Sequence, residues 1–256
     1  MNAVDRRANL FDERIAAGYD ASTDISAPEF VDPVVDFLAG LAGDGAALEF
    51  AIGTGRIALP LSRRGVPVHG IDLSPDMVAV LRRKLGAEDL GVTVGDIAWD
   101  AVGEGGSFRL VYLVYNTIEN LMSQDDQVSC FRNAARHLEP GGYFVIEVEV
   151  PPLRRLPPGD TVRAFLVRPD HLGFDEFDVV AQQGVSHHYM VAGDRCEQFS
   201  TPYRFVWPSE LDLMARPGWS CASAGATGTG APSRASRPNT FRSGRRWRRP
   251  CAGEPS

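Results

Sequence analysis

The 256-residue chain is 44% hydrophobic, which is enough for one sizeable core and predicts a main domain with an elaboration. Its net charge of −7 is uneven: residues 216–256 hold eight arginines and one acid, which leaves 18 bases and 32 acids in residues 1–215. So acidic a body repels polyanions, which argues against a nucleic-acid substrate. Neither a signal peptide nor an apolar run of roughly 20 residues is present, so we expect a cytoplasmic protein without membrane contacts.

The four cysteines are scattered along the chain, at Cys130, Cys196, Cys221 and Cys251. None forms a CxxC pair, and none has a histidine at ligand spacing. The pattern therefore predicts neither a structural zinc site nor a disulfide framework, and we expect no bound metal.

Residues 1–43 are predicted to be helical, with apolar positions at helical spacing behind Pro28, a typical first-turn residue. Residues 44–150 then alternate between strand and helix patterns, which predicts a doubly wound, mostly parallel sheet. The predicted strands are Ala47–Ala51, Val66–Ile71, Val92–Val94, Leu110–Tyr115 and Tyr143–Val150, and the predicted helices are Arg56–Arg64, Pro75–Leu85 and Gln124–His137.

The pattern changes after Pro151 and Pro152 to consecutive β-like stretches, which predict an antiparallel flap over residues 151–207. These stretches are Thr161–Val167, Phe174–Val180, Ser186–Val191 and Gln198–Trp207. A helix is predicted within residues 208–216. From residue 217 to 256 Ser, Ala, Gly, Pro and Arg dominate, and we expect an aberrant, disordered tail.

The strongest functional signal is the segment Leu48–Arg56, an apolar strand with an acid, Glu49, that runs into a glycine turn and opens a helix. Gly53 and Gly55 tolerate positive φ and let a ligand approach the backbone, while the amides of a helix N-terminus offer hydrogen-bond donors. Nicotinamide and nucleotide binders share such turns, as do plain tight turns. The turn is therefore evidence for a ligand site only in combination with the features of the next strands.

The next strand ends in Asp72, about twenty residues after the glycine turn, where an acid binds the hydroxyls of a ribose. An acid at a strand end also serves as a helix cap or turn former. After a third short strand, Asp96 and Ile97 are placed to meet an adenine amino group and its ring, although a solvated turn aspartate is the alternative. Taken together, the positions fit an adenosine moiety.

These segments resemble the class I S-adenosylmethionine-dependent methyltransferases of bacterial small-molecule type, over about residues 15–215. In that family's first motif, acid-x-Gly-x-Gly-x-Gly, Glu49 matches, Ala51 replaces the first glycine, and Gly53 and Gly55 are kept. The resemblance implies a Rossmann-like fold and S-adenosyl-L-methionine as cofactor. It implies cofactor contacts from Tyr19, Glu49, Ala51, Gly53, Thr54, Gly55, Asp72, Leu73, Met77, Asp96, Ile97 and Asn116.

Tyr19 and Asp20 resemble the family's Tyr-Asp element, which closes over the methionine end of the cofactor; a capping Asp beside a core Tyr is the alternative. The polar end of the fourth predicted strand should face the transferring methyl, since ligands bind at strand carboxyl ends. Asn116 is the preferred residue there, touching the cofactor or the acceptor, unless it only caps the next helix.

A general base is needed only for a protonated amine or a weakly acidic hydroxyl. His187 and His188 of the flap are the candidates, and at most one faces the crevice because neighbouring strand residues point to opposite faces. Ordinary strand histidines are the alternative. Glu147 and Glu149 share a strand face and suit either a cationic amine or a framework role.

The family's sheet ends in two further strands, which the tail does not resemble, so we expect them to be missing or replaced by the disordered tail. Bases that encode residues 218–228, and those continuing through Gly244, can be read in the neighbouring frame as strand-like sequences. We therefore hypothesise a frameshift near Arg216.

The resemblance implies a methyltransferase that acts in line on an N or O atom of a small-molecule acceptor. One alternative is a non-catalytic cofactor-binding protein with a damaged tail. The other is a nicotinamide-dependent oxidoreductase, which the absence of a catalytic Tyr-x-x-x-Lys pair disfavours, since Lys84 is the only lysine. The sequence does not indicate the acceptor or the oligomeric state.

Overall fold

Seven strands form one mixed sheet in the computed structural model of the protein, which describes residues 11–20, 26–103, 107–216, 220–225 and 242–249. The strand order across the sheet is β10-β11-β5-β4-β1-β2-β3. The strands are β1 (Ala47–Phe50), β2 (Val68–Asp72), β3 (Gly91–Val94), β4 (Phe108–Leu113), β5 (Leu138–Glu149), β10 (Ser220–Gly225) and β11 (Arg242–Arg248).

Strands β1 to β5 are parallel to one another, as the alternation of strands and helices predicts. In the central strand β1, Ala47 pairs with Val68 on one side and with Leu110 on the other. All four residues of β1 are buried, because helices cover both faces of a parallel sheet. The doubly wound fold is therefore confirmed, and the carboxyl ends of the central strands meet at one edge.

Six α-helices accompany the strands among the described residues: α1 (Glu13–Gly18), α2 (Pro28–Ala42), α3 (Ala58–Arg63), α4 (Pro75–Arg82), α5 (Gln124–His137) and α6 (Pro208–Ala215). The bounds predicted for α5 are confirmed, because Ser123 accepts a hydrogen bond from Asp126 N–H and fixes the first turn. Ser74 caps α4 in the same way. No described helix has the length and apolar character needed to cross a bilayer.

Strands β6 (Val162–Arg168), β7 (His171–Asp178), β8 (Gln183–Ala192) and β9 (Arg195–Arg204) form a separate antiparallel sheet, the flap. The predicted antiparallel sheet is thus confirmed; β7 and β8 are longer than the sequence indicated, while β6 and β9 have the predicted length at shifted positions. Arg204, at the end of β9, is 4% exposed and donates to Gln127 Oε1 at 2.5 Å and to Glu210 Oε1 at 2.7 Å. One buried guanidinium therefore joins the flap to α5 and α6.

The expectation that the last two strands are missing is wrong for the described part of the tail, where β10 and β11 occupy their places. Strand β11 lies antiparallel along β5, with Trp247 opposite Phe144. Trp247 is 2% exposed and lies 5.0 Å from the Phe131 ring, measured between centroids. Without β11 the apolar edge of β5 would face water. Strand β11 is rich in arginine, and its buried Trp247 supplies the apolar contact with this edge.

The remainder of the predicted tail, residues 217–219, 226–241 and 250–256, lies outside the described residues. The frameshift stays a hypothesis. A second difference concerns the predicted turn before the fifth strand, because Pro140, Gly141 and Gly142 are part of β5. Arg249 explains this extension, since its backbone pairs with Gly141 and Gly142 at 2.7 and 2.9 Å.

Candidate functional site

A cleft opens at the carboxyl ends of β1, β2 and β4, the edge where ligands bind in open α/β sheets. Most of the predicted site residues line it: Tyr19, Glu49, Ala51, Gly53, Thr54, Asp72, Leu73, Met77, Asp96 and Ile97. Four of the predicted residues are not part of its lining, namely Gly55, Asn116, His187 and His188. The structure therefore brings the glycine turn and both strand-end acids into one site.

The turn after β1 depends on left-handed backbone at three alternate positions, Ala51 (φ 57°), Gly53 (φ 55°) and Gly55 (φ 81°). Ala51 adopts this conformation at a steric cost that glycine would avoid. Gly55 is required for packing, because a Cβ there would lie 2.4 Å from Leu81 Cδ1 of α4. Gly55 thus supports the cleft from behind and does not face it.

Asp72 binds the glycine turn directly. Gly53 N–H donates to Asp72 Oδ2 at 2.7 Å, and Ser74 N–H donates to Oδ1 at 2.8 Å. Burial raises the pKa of Asp72, while these two hydrogen bonds oppose the rise. Each carboxylate oxygen keeps a second lone pair, so Asp72 can hold the turn and still accept from two ligand hydroxyls.

Glu49 is 4% exposed and accepts a hydrogen bond from Tyr112 Oη at 2.9 Å. Burial raises the pKa of Glu49 to about 8, an effect that the Tyr112 hydrogen bond and the charge of Arg56 reduce. Near neutral pH the carboxyl therefore carries a proton for much of the time. A cation bound in the cleft would favour its ionised form, because opposite charges at close range lower a carboxyl pKa.

The described part of the N-terminus, residues 11–20, covers one side of the cleft and contributes Phe11 and Tyr19 to its lining. Burial raises the pKa of Tyr19 to about 12, so the phenol stays protonated. Thr54 Oγ1 donates to Asp20 Oδ1 at 2.7 Å, which ties the predicted Tyr-Asp element to the glycine turn.

The loop after β3 forms the opposite end of the cleft. Asp96 Oδ1 accepts from Ala98 N–H at 2.8 Å, and Asp96 N–H donates to Asp100 Oδ2 at 2.8 Å. Asn133 of α5 donates to the carbonyl oxygen of Ile97 at 2.9 Å. These bonds fix the position of Asp96 and Ile97 beside the cleft before any ligand binds.

Asn116 has a structural role. Its Oδ1 accepts from Glu149 N–H at 2.6 Å, and its backbone N–H donates to Glu147 O at 3.2 Å, so the residue joins the ends of β4 and β5. Left-handed backbone at Tyr115 and Asn116 (φ 61° each) turns the neighbouring Tyr115 into the cleft lining instead. A strand register alone does not predict this turn.

His187 and His188 lie on opposite faces of the flap, as their adjacency predicts. His187 Nδ1 is 2.8 Å from Ser200 Oγ, on the face that also carries the exposed Glu176. His188 shares the buried face with Asp175 and Ser186, and its Nδ1 is 2.9 Å from His171 Nε2. Neither imidazole lines the cleft.

Comparison with known proteins agrees with this geometry. The methyltransferase domain family matches residues 47–142. The solved structure of the CcbJ methyltransferase from Streptomyces caelestis is 29% identical, with a TM-score of 0.80 over 94% of this chain and 98% of that one. Residues 47–142 therefore carry a methyltransferase domain, and the whole chain is similar to S-adenosylmethionine-dependent methyltransferases.

Two further proteins are similar to this chain. The Bacillus subtilis (strain 168) protein YqeM, named as a methyltransferase, is 28% identical over 110 residues, which span 43% of this chain and 44% of YqeM. The structure of CalS10 from Micromonospora echinaspora, an amino pentose methyltransferase with bound cofactor, has a TM-score of 0.66 at 20% identity, covering 94% of this chain and 99% of that one. The second likeness shows the fold alone. The match to the methyltransferase domain argues against the nicotinamide-dependent alternative.

Several residues that line the cleft were not predicted from the sequence, among them Phe11, Arg56, Trp99 and Asp126. The Arg56 guanidinium carbon lies 5.0 Å from the centroid of the Tyr115 ring, a cation–π distance. Arg56 directly follows the glycine turn, and that adjacency was the signal available for it. Phe11 and Asp126 reach the cleft through tertiary packing, for which the sequence has no local signal.

Proposed function

We propose that this chain transfers the methyl group of S-adenosyl-L-methionine to a nitrogen or oxygen atom of a small-molecule acceptor. The observation that carries the proposal is the convergence of Gly53, Asp72 and Asp96 on one cleft at the strand ends. Ribose hydroxyls would bind Asp72 and the adenine amino group would bind Asp96.

The charges of the cleft fit this cofactor, which carries a sulfonium, an ammonium and a carboxylate. Glu49, Asp72, Asp96 and Asp126 supply acids for the two cations, and Arg56 is the single basic side chain in the lining formed by the described residues. Arg56 would pair with the carboxylate. In addition, Asp126 is 6% exposed, and its buried Oδ1 has no hydrogen-bond donor within the described part of the chain. A ligand donor would satisfy that oxygen.

When bound, the cofactor supplies an electrophilic methyl group on sulfur, which an acceptor atom displaces in line. The protein's contribution is to orient the two reactants and to exclude water. Phe11, Tyr19 and Tyr115 form apolar walls around the cleft. The buried face of the flap would cover the acceptor, and His188 on that face is the candidate base if the acceptor must lose a proton, although it does not line the cofactor's cleft.

Calorimetric titration of the purified chain with S-adenosylhomocysteine and, separately, with NADH tests the cofactor. We expect binding of S-adenosylhomocysteine alone. Binding of NADH alone would contradict the proposal. Binding of neither by a chain whose circular dichroism shows a folded protein would also reject it.

The non-catalytic alternative predicts cofactor binding without turnover. A panel of small amines and hydroxyl compounds, assayed for release of S-adenosylhomocysteine, separates the two. A frame-restored form of residues 216–256 should be assayed in parallel, since the hypothesised frameshift affects strands that border β5. Cofactor binding with no product from either form across the panel would favour the alternative.

A further inference from the structure

The N-terminal segment, residues 11–20, is attached to the cofactor-binding fold at two separated places. At one, Ser74 Oγ donates to the carbonyl oxygen of Phe11 at 2.6 Å. At the other, Asp20 accepts from Thr54 Oγ1. Tyr19, beside the second attachment, lines the cleft, and its ring meets that of Phe11 edge-on with 6.0 Å between centroids. Both aromatic side chains therefore depend on these attachments for their position.

Lys84 completes the second attachment. Its Nζ lies 2.7 Å from Asp20 Oδ2 and donates to the carbonyl oxygen of Thr54 at 2.6 Å. The two oxygens of Asp20 thus bind different partners, Oδ1 the Thr54 hydroxyl and Oδ2 the ammonium. One cation therefore joins three parts of the chain: the end of the N-terminal segment, the glycine turn and the residues that follow α4.

The contact between Lys84 and Asp20 is only partly buried. The side chains of Lys84 and Asp20 are 29% and 40% exposed, so water screens the pair in part. The hydrogen bond to a backbone carbonyl is charge-assisted and directional, unlike a plain surface ion pair. Such a contact holds a segment in place without burying it completely.

We propose that Lys84 is a positioning residue that holds Tyr19 over the methionine end of the cofactor, and that the Lys84–Asp20 contact opens when the cofactor enters or leaves. This inference rests on the proposed cofactor site. It follows from connectivity: Asp20 is adjacent to Tyr19, and Thr54 belongs to the turn against which the methionine part would lie. Loss of the ammonium would free both at once.

The release rate of S-adenosylhomocysteine, measured by stopped-flow, tests the proposal. We expect Lys84→Met to accelerate release about fivefold to tenfold, as the loss of one charge-assisted contact of partial exposure predicts. Lys84→Arg should restore most of the wild-type rate, because it retains the charge. Arg83→Met, at the exposed neighbouring position, is the matched control and should leave release unchanged.

Asp20→Asn approaches the same contact from the other side. It keeps an oxygen for Thr54 but removes the charge that binds Lys84, so its release rate should match that of Lys84→Met. The double variant should release no faster than either single variant, because both remove one contact. Additive effects would contradict the proposal, and the Asn variant keeps the test valid if the Met variant does not fold.

Because Lys84 is the only lysine, an amine-reactive acetylating reagent reports on the contact directly. Peptide mass spectrometry gives the rate of acetylation at Lys84, with the N-terminal amine as an internal reference. Saturation with S-adenosylhomocysteine should slow acetylation at Lys84 several-fold and leave the reference unchanged. Equal rates with and without ligand would overturn the proposal.

Failure of the wild-type chain to bind S-adenosylhomocysteine would reject the proposed function itself. Ordinary binding, combined with unchanged release in Lys84→Met and Asp20→Asn, would reject only the role of Lys84.

Discussion

The glycine turn and the flap differ in how their polar side chains are used. Around the turn, polar groups from distant parts of the chain bind one another and face a cleft, as Asp72 does with Gly53 and Asp20 with Thr54. On the flap, the histidines bind partners within the same sheet, as His188 does with His171. Under the proposed function, this contrast would mean that the cofactor binds a preformed site on the parallel sheet, while the more exposed antiparallel sheet contacts the acceptor.

The sharpest test of the turn's rigidity is Gly55→Ala. A methyl group there would combine a strained φ with a 2.4 Å approach to Leu81, so we expect a loss of about 2–4 kcal/mol in the free energy of unfolding. Urea denaturation measures it. Gly40→Ala is the control, because that helical glycine has open space around its Cβ and the change should stabilise the protein slightly.

Asp72→Ala should weaken S-adenosylhomocysteine binding by on the order of 1–3 kcal/mol, as expected when ribose hydroxyls lose a buried partner. Calorimetry measures the change. Asp89→Ala, at an exposed position, should bind as the wild type does. An unchanged affinity in Asp72→Ala would remove this residue from the cofactor's site.

The raised pKa of Glu49, about 8 against an ordinary 4.5, makes stability depend on pH. Between these values the folded state holds the proton more tightly than the unfolded state does, so this group's stabilising effect is present below about pH 4.5 and is lost as the pH rises through about 8. Denaturation across that range should show wild-type stability falling relative to Glu49→Gln. Parallel curves for the two proteins would show that burial does not perturb Glu49.

The smallest effects are expected on the flap. Neither His187→Ala nor His188→Ala should change S-adenosylhomocysteine affinity by more than about twofold, since neither side chain lines the cleft. His188→Ala should cost about 1 kcal/mol of stability, because its ring stacks on Phe199 with 4.5 Å between centroids. A large loss of cofactor affinity in either variant would mean that the flap takes part in cofactor binding.

The sequence predicted the turn and its acids because their signals are local. Periodicity and spacing placed Glu49, Gly53 and Asp72 at or just after strand ends, and periodicity also predicted the helix Gln124–His137. Asn116 was different: a register predicts which residue follows a strand, but not a left-handed turn that sends its side chain toward β5. The roles of the cofactor residues stay predictions until ligand binding is measured.

Non-local contacts account for the rest. Strand β11 was missed because its alternation contains one large apolar residue, Trp247, and its place is defined by the unpaired edge of β5. Lys84 was noted only for its rarity. Its proximity to Asp20 arises from the packing of α1 against α4, which no short sequence window contains.

The buried guanidinium of Arg204 bears on how this enzyme could diversify. Because Arg204 binds Gln127 on α5 and Glu210 on α6, the flap is seated on the sheet through a three-residue polar junction at its base. An antiparallel sheet transferred from a relative in place of β6–β9 should dock stably only if this junction is kept whole. A chimera that receives Arg204 without its two partners would bury an uncompensated charge, so the junction limits which sheets can replace β6–β9 without loss of stability.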